Sequence, residues 1–135
     1  MLERILITGA DGQVGTELRQ YLGAKAEVIS LTRQNCDLAE VDKLEAIVRS
    51  SQPTAIINAA AYTAVDRAES EPDLAMMING TVPKVLATVA KDLDIPFVNI
   101  STDYVFNGQS FTPYLETDLP PTSMRACSPA SFVCP

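Results

Sequence analysis

The chain has 135 residues, of which 47% are hydrophobic, and a formal net charge of −7; it has enough apolar residues for the core of one soluble globular domain. The acidic balance disfavours a surface that binds nucleic acid or an anionic membrane, and no apolar run resembles a secretory signal or a membrane span. The absence of histidine disfavours a typical zinc site and a His-based triad, while three cysteines without a C-x-x-C pair favour a reducing cytoplasm.

The first predicted element is an apolar strand at Arg4–Thr8 that leads into a G-x-x-G-x-x-G sequence. Gly9 permits a tight strand-to-helix turn, Gly12 lets the backbone approach a pyrophosphate, and Gly15 lets the following helix pack close to the strand. The spacing of apolar residues predicts that helix at residues 13–22, with its N-terminal N–H groups facing the phosphates. The stretch therefore predicts a dinucleotide-binding cradle, with a plain glycine-rich turn as the alternative.

Strands and helices alternate along the rest of the chain. Apolar runs predict three further strands, at residues 26–31, 55–60 and 97–101. Between the candidate cap Asp37 and the breaker Pro53, one apolar helical face is formed by Val41, Leu44, Ile47 and Val48. A longer helix is predicted at 72–92, with a kink or break near Gly80 and Pro83. This order predicts an α/β fold: a Rossmann-like, doubly wound parallel sheet, truncated after about four strands, with ligands at the carboxyl ends of the strands.

The residues after the second strand bear on the choice of cofactor. A dinucleotide domain that prefers NAD places an acid here, which accepts from the ribose 2′-hydroxyl and repels a 2′-phosphate. This chain has Thr32 and Arg33 instead, which favours NADP(H) or tolerance of both cofactors; the alternative for Arg33 is a solvated loop charge. Asp37 and Leu38 would then lie beside the adenine, with a helix cap as the alternative role of Asp37.

Four motifs carry a family resemblance. They are Thr8-Gly9-x-x-Gly12-x-x-Gly15, Asp37-Leu38, the run from Asn58 to Glu69 that contains Ala61-Tyr62-Thr63-Ala64-Val65-Asp66, and Ser101-Thr102-Asp103-Tyr104-Val105-Phe106-x-Gly108. Together they resemble the extended short-chain dehydrogenase/reductases and, more narrowly, the dTDP-4-dehydrorhamnose reductases. These enzymes reduce the 4-keto group of a nucleotide-linked deoxysugar in the last step of dTDP-L-rhamnose synthesis. The resemblance covers about residues 3 to 118.

The resemblance implies a cofactor site. Its residues would be Gly12, Gln13 and Val14 in the glycine loop, Asp37 and Leu38 at the adenine, and Ala61, Tyr62 and Thr63 after the third strand. It also implies that Thr102 is the catalytic threonine, whose hydroxyl bonds the substrate carbonyl region, and that Asp103 lies near the sugar. A hydroxyl at a strand end can donate to an oxygen that gains negative charge as hydride arrives. The alternative for this pair is a capping or turn cluster.

The resemblance further implies a bacterial cytoplasmic protein and allows a homodimer. Glu17 matches a glutamate that helps to bind magnesium at a dimer interface in some members of the family. The alternative role of Glu17 is an exposed helix glutamate, which the sequence favours because the other expected carboxylates would lie beyond residue 135. The sequence therefore predicts no metal site of its own.

The C-terminal residues depart from the family. A Tyr-x-x-x-Lys pair is expected within about ten residues of Pro121, where the tyrosine would protonate the carbonyl oxygen, but residues 119–135 contain neither tyrosine nor lysine. Ala126 stands at about the tyrosine position, and Tyr104 and Tyr114 lack a lysine four residues on. We therefore expect an NAD(P)-binding portion at 1–118, a divergent, irregular tail at 119–135 that begins to diverge near Ser123, and no C-terminal substrate lobe.

Three hypotheses follow for the function. The first is a NAD(P)H-dependent sugar-nucleotide reductase by descent, incomplete for catalysis and with a tail from a shifted reading frame or a gene change. The second is a catalytically silent cofactor-binding module, similar to the regulatory subunits of methionine adenosyltransferase. The third is an inert fragment that self-associates, because a sheet stopped after four strands leaves an open edge.

Overall fold

The computed structural model describes residues 3–101, 110–115 and 117–118. In these ranges the elements are, in chain order, β1 (Arg4–Thr8), α1 (Gln13–Gly23), β2 (Glu27–Leu31), α2 (Val41–Ser51), β3 (Ala55–Asn58), α3 (Val65–Ala68), α4 (Pro72–Met76), a π-helical turn (Met77–Thr81), α5 (Val82–Asp92) and β4 (Phe97–Asn99). The predicted β1 is confirmed at both ends, whereas the short α3 was not predicted. None of the described helices combines the length and the apolar character that crossing a membrane requires.

The four strands form one parallel sheet in the order β2-β1-β3-β4. The chain moves from β1 to β2 on one side and then crosses back to β3 on the other, so the strand order reverses between β1 and β3. Ligands of such sheets bind in the crevice at this switch point, outside the carboxyl ends of the strands. Here those ends are Thr8 and Asn58, which are partners in the register. The predicted α/β, Rossmann-like class is confirmed.

Helices cover the sheet on both faces. On one face α2 and α5 pack over a core that includes Leu6, Ile56 and Leu86, all with no exposed surface. On the other face α1 covers Ile7 and Ala10 through partly buried apolar side chains such as Leu18. Burial of apolar side chains on both sides of the sheet is what fixes the strands in place and thereby the crevice at their carboxyl ends.

Three strand boundaries differ from those predicted. β2 begins at Glu27 and not at residue 26, because the Ala26 N–H still donates to Leu22 O at 2.9 Å in the turn after α1. β3 ends at Asn58 and not at residue 60, and the Ala59 N–H makes the last bond to β1, to Thr8 O at 3.2 Å. β4 likewise ends at Asn99, two residues earlier than predicted.

The capping role suggested for Asp37 is wrong. Helix α2 begins at Val41 with Glu40 as its N-cap, and no side chain caps it. The Asp37 carboxylate instead accepts from the Ala39 N–H at 3.0 Å, which closes a local turn before the helix. Short acidic side chains bond to the backbone two residues on in such turns as readily as at a helix start.

The helix predicted at 72–92 is continuous but contains the π-helical turn. At its end the Val82 N–H donates to Met77 O, five residues back. Pro83 follows at once; a proline has no N–H to donate and crowds the carbonyl four residues earlier, here that of Asn79. The predicted interruption near Gly80 and Pro83 is therefore present as a widened turn and not as a break.

Candidate cofactor-binding site

The glycine loop after β1 is packed too closely for larger residues. Gly9 has a φ of +63°, and a Cβ there would lie 2.7 Å from the backbone of Ala60. A Cβ on Gly15 would lie 2.1 Å from Gly9 O and 2.8 Å from the Cα of Ala10. The turn of Gly9 and the close approach of α1 at Gly15 are thus those predicted from the sequence. Gly12 is exposed, and a Cβ there would lie 3.3 Å from Gly9 O.

Helix α1 starts at this loop. Gly12 is its N-cap, and the Thr16 N–H makes the first bond of the helical ladder, to Gly12 O at 2.9 Å. The N–H groups of Gln13, Val14 and Gly15 precede this ladder and form the positive end of the helix dipole. From the second turn Arg19 reaches back and donates to Ala10 O at 3.2 Å, a contact that the sequence did not predict. The result is a fixed loop with exposed donors that can receive an anion.

The turn after β2 holds Thr32 and Arg33. The Asn35 side chain accepts from the Thr32 N–H at 2.8 Å and donates to Ser30 O at 2.9 Å, so one amide fixes the turn from both sides. Arg33 is exposed at its tip. The sequence analysis missed Asn35, although an asparagine shortly after a strand end is a common turn residue.

Asp37 and Leu38 follow this turn. Asp37 is exposed, whereas Leu38 is half-buried and packs against the core cluster under α2 and α5. Leu38 therefore anchors this stretch to the domain, and the Asp37 carboxylate, with its bond to the Ala39 N–H, lies at the surface. Their contact with adenine stays a prediction.

The stretch after β3 contains Ala61, Tyr62 and Thr63. Ala61 and Thr63 are exposed, and Tyr62 is half-buried. The Tyr62 main chain is held by Asn79, with the Tyr62 N–H donating to Oδ1 at 2.8 Å and Nδ2 donating to Tyr62 O at 3.1 Å. The Tyr62 hydroxyl donates to the Glu71 carboxylate at 2.5 Å. Both partners were missed, because they lie 17 and 9 residues away in the chain.

The charges around Tyr62 show which groups are close to it. The hydrogen bond to Glu71 raises the pKa of the Tyr62 phenol above its usual value, and the positive charges of Arg67 and Arg33 offset part of this rise. The same bond, with one from Arg67 at 3.1 Å, lowers the pKa of Glu71. The effect of Arg33, from the turn after β2, on the pKa of Tyr62 is the smallest of these.

A row of polar side chains crosses the carboxyl ends of three strands. The Thr8 hydroxyl donates to Asn58 Oδ1, and Asn58 Nδ2 donates to Asn99 Oδ1 at 2.6 Å. Thr8 and Asn58 are buried, and within the described part of the chain no buried side-chain N or O atom lacks a partner. The sequence analysis missed this row, which polar residues at the ends of three apolar strands could have indicated.

Three further residues were predicted to belong to the site: Thr102, Asp103 and Glu17. Thr102 and Asp103 lie outside the described residues, and Ser101 before them is exposed. Glu17 is exposed on α1 and lines a shallow apolar groove with Gln13, Val14, Leu18 and Tyr21. Among the residues for which the structure gives positions, no three Cys, Asp or Glu side chains are close enough to hold a metal ion together.

Comparison with known proteins agrees with this geometry. Residues 3–129 match the family described as the RmlD substrate binding domain. A dTDP-4-dehydrorhamnose reductase of Burkholderia thailandensis is 47% identical over 115 residues, which are 85% of this chain and 39% of that protein. The crystal structure of a dTDP-4-dehydrorhamnose reductase from Bacillus anthracis in complex with NADP is 36% identical. It matches with a TM-score of 0.80, over 89% of this chain and 43% of its own.

A second solved structure, of a dTDP-4-dehydrorhamnose reductase ortholog from Clostridium acetobutylicum, is 42% identical with a TM-score of 0.80, over 87% of this chain and 42% of its own. This chain therefore spans about two fifths of the length of these relatives. The matched family covers nearly all of the chain, and the matched structures share its parallel sheet. The resemblance seen in the four motifs is confirmed, and the chain belongs to the RmlD substrate binding domain family.

Proposed function

We propose that the chain binds NADP(H) at the crevice between β1 and β3 and supplies the cofactor-binding portion of a reductase. The observation that carries the proposal is the packed glycine loop. Gly9, Gly15 and Ala60 approach so closely that no side chain fits between them, while Gly12 stays exposed at the start of α1. Such a loop leaves the first N–H groups of a helix free for a pyrophosphate.

The residues present fit the dinucleotide. Gly12, Gln13 and Val14 would hold the pyrophosphate, and Asp37, Leu38 and the stretch Ala61, Tyr62 and Thr63 would line the adenosine and ribose. A solved relative that is 36% identical contains NADP, which supports NADP(H) as the cofactor.

Arg33 favours the phosphorylated cofactor. The turn after β2 has Thr32 and Arg33 where an acid would select NAD, and Arg33 is exposed in that turn. A guanidinium at this place can bind a 2′-phosphate through charge-assisted hydrogen bonds. We therefore expect NADPH to bind more tightly than NADH.

The reaction proposed for the full reductase is reduction of a nucleotide-linked 4-keto-6-deoxysugar, dTDP-4-dehydrorhamnose, to dTDP-L-rhamnose. The relatives carry this name. The bound cofactor would supply the hydride. In this chain Thr102 would donate a hydrogen bond to the substrate carbonyl oxygen, and Asp103 would lie near the sugar. Since residues 119–135 contain no tyrosine and no lysine, we expect the 135-residue polypeptide to bind the cofactor with little or no turnover.

Isothermal titration of NADPH and of NADH into the chain tests the cofactor proposal. The informative variant is Gly12→Val, which puts a side chain at the helix start. The matched control is Gly23→Val at the other end of α1, where an added Cβ meets nothing within 4 Å. Saturable NADPH binding that is lost only in Gly12→Val supports the proposal. No binding of either cofactor to the unmodified chain contradicts it and favours an inert fragment.

A further inference from the structure

Asn79 makes an unusual contact with the backbone of Tyr62. Its Oδ1 accepts from the Tyr62 N–H at 2.8 Å, and its Nδ2 donates to Tyr62 O at 3.1 Å. Asn79 is 2% exposed. A side-chain amide that bonds both polar groups of one residue replaces the strand partner which that residue would have in a sheet. Tyr62 lies beyond the end of β3, outside the backbone hydrogen bonds that join the strands of the sheet.

The π-helical turn places Asn79 for this contact. Asn79 lies within Met77–Thr81, where the helix widens before Pro83. Widened turns of this kind are rare and occur frequently at functional sites. Asparagine followed by glycine is also a poor choice for a helix interior, so the propensity of the sequence does not account for Asn79 here.

The same helical segment also holds the Tyr62 side chain. Glu71, the N-cap of α4, accepts from the Tyr62 hydroxyl at 2.5 Å and is bound by Arg67 at 3.1 Å. Tyr62 is therefore held at its main chain by Asn79 and at its ring by Glu71. Two residues before it, the Ala60 backbone lies against the Gly9 turn. The position of Tyr62 is thus coupled to that of the glycine loop.

We propose that Asn79 is a positioning residue that holds the stretch Ala61, Tyr62 and Thr63 in the geometry required for cofactor binding. The inference rests on the proposed function, since it concerns the same crevice. Asn79 is proposed to act through Tyr62 and not by contact with the cofactor. Removing its side chain should therefore lower cofactor affinity by more than the accompanying loss of folding stability would explain.

The test compares NADPH affinity in two variants under conditions where circular dichroism shows both to be folded. Asn79→Ala removes both bonds, and we expect its Kd for NADPH to rise about tenfold or more, the size that losing a buried hydrogen-bonded pair produces. The control is Val89→Ala, which removes buried apolar volume from α5 without touching Tyr62. We expect its Kd to change about twofold or less, because cavity effects away from the crevice are local.

The substitution Asn79→Asp supplies a readout that a general structural role would not move. When protonated, the introduced carboxyl can accept from the Tyr62 N–H and donate to Tyr62 O, as the amide does, whereas its ionised form repels that carbonyl. The variant should bind NADPH weakly at about pH 8 and regain affinity, relative to the unmodified chain, as the pH falls toward about 5. Faster hydrogen exchange at the Tyr62 amide in Asn79→Ala, measured by NMR, reports the lost bond without any cofactor.

The outcomes separate this inference from the proposed function. If the unmodified chain binds NADPH and Asn79→Ala weakens binding no more than Val89→Ala, Asn79 does not position the site and the inference is overturned while the function stands. If Asn79→Ala does not fold, the pH dependence of Asn79→Asp decides in the same way. If the unmodified chain binds no NADPH, the proposed function and the inference are both overturned.

Discussion

Asn58 and Asn99 are joined across the sheet by a hydrogen bond of 2.6 Å at the point where β3 and β4 end. Asn58 accepts from Thr8 on its other side, so one asparagine links three strands below the crevice. Asn58 is 1% exposed, so its side chain makes both bonds away from bulk solvent.

The first prediction concerns this row. Asn58→Ala leaves both Thr8 and Asn99 without their partner and should lower the free energy of unfolding by about 2–4 kcal/mol. Asn99→Ala removes the bond from Asn58 and a long one of 3.5 Å to Ile100 O, at a half-buried position, and should cost less, about 1 kcal/mol. Urea denaturation measures both values, with Ser50→Ala on the exposed face of α2 as the control. Equal stability of Asn58→Ala and the control would contradict the structural role of the row.

The second prediction concerns the contact between α1 and the glycine loop. The Cβ of Gly15→Ala would lie 2.1 Å from Gly9 O, so α1 must move away, at a cost of about 1–3 kcal/mol. Gly23→Ala in the same helix meets nothing within 4 Å and should be neutral or stabilising by up to about 1 kcal/mol. Thermal unfolding of the two variants measures the difference. If Gly15→Ala is as stable as Gly23→Ala, α1 does not pack against Gly9 as closely as described.

The third prediction concerns cofactor choice. Replacing Arg33 by Ala removes the cation proposed to bind the 2′-phosphate and should weaken NADPH binding about tenfold or more. NADH has no such phosphate, so its affinity should change little. Lys91→Ala is the control, because this exposed lysine lies in the last turn of α5, away from the crevice. An equal loss for NADPH and NADH would show that Arg33 does not select the phosphate.

The fourth prediction concerns pH. The hydrogen bond from the Tyr62 hydroxyl to the Glu71 carboxylate depends on the ionisation of both groups. The pKa of Glu71 is lowered from 4.5, so the bond stabilises the fold above that value, and its contribution is lost as the pH falls through the folded pKa. The Tyr62 pKa is raised from 10.0, so the contribution is present below that value and is lost as the pH rises through the folded pKa. Tyr62→Phe should therefore have a lower urea midpoint than the unmodified chain at pH values between the pKa of Glu71 and that of Tyr62. The difference in midpoint between the two proteins should shrink below the first pKa and above the second. A difference that is constant with pH would contradict this assignment.

The sequence predicted the framework of the domain well because its signals are local. The apolar run that ends at Thr8 predicted β1, and the glycine spacing predicted the turn at Gly9 and the packing of Gly15 against Gly9 and Ala10. The close approach of Gly9 to Ala60 is a tertiary contact that this local spacing does not specify. The helix cap offered as the alternative role of Asp37 is wrong, since the same side chain satisfies a local turn equally well and only the start of α2 at Val41 decides between them.

The tertiary contacts of the site were not predictable in this way. The pairing of Asn58 with Asn99 depends on the register between β3 and β4, which apolar runs do not specify to a single residue. The contact between Asn79 and Tyr62 joins residues 17 positions apart, and Asn79 lies in a π-helical turn that apolar periodicity does not predict. The roles predicted for Thr102 and Asp103 stay predictions, because these residues lie outside the described part of the chain.

NMR titration of the isotope-labelled chain with NADPH reports where the cofactor binds as well as whether it does. If NADPH binds at the glycine loop, the amide resonances of Gly12, Gln13 and Val14, together with those of Arg33 and Tyr62, should shift saturably, while amide resonances at the far end of the sheet, such as that of Glu27, should not change. Saturable shifts that omit the glycine loop, or no shifts at all, would show that the chain does not bind NADPH at this crevice.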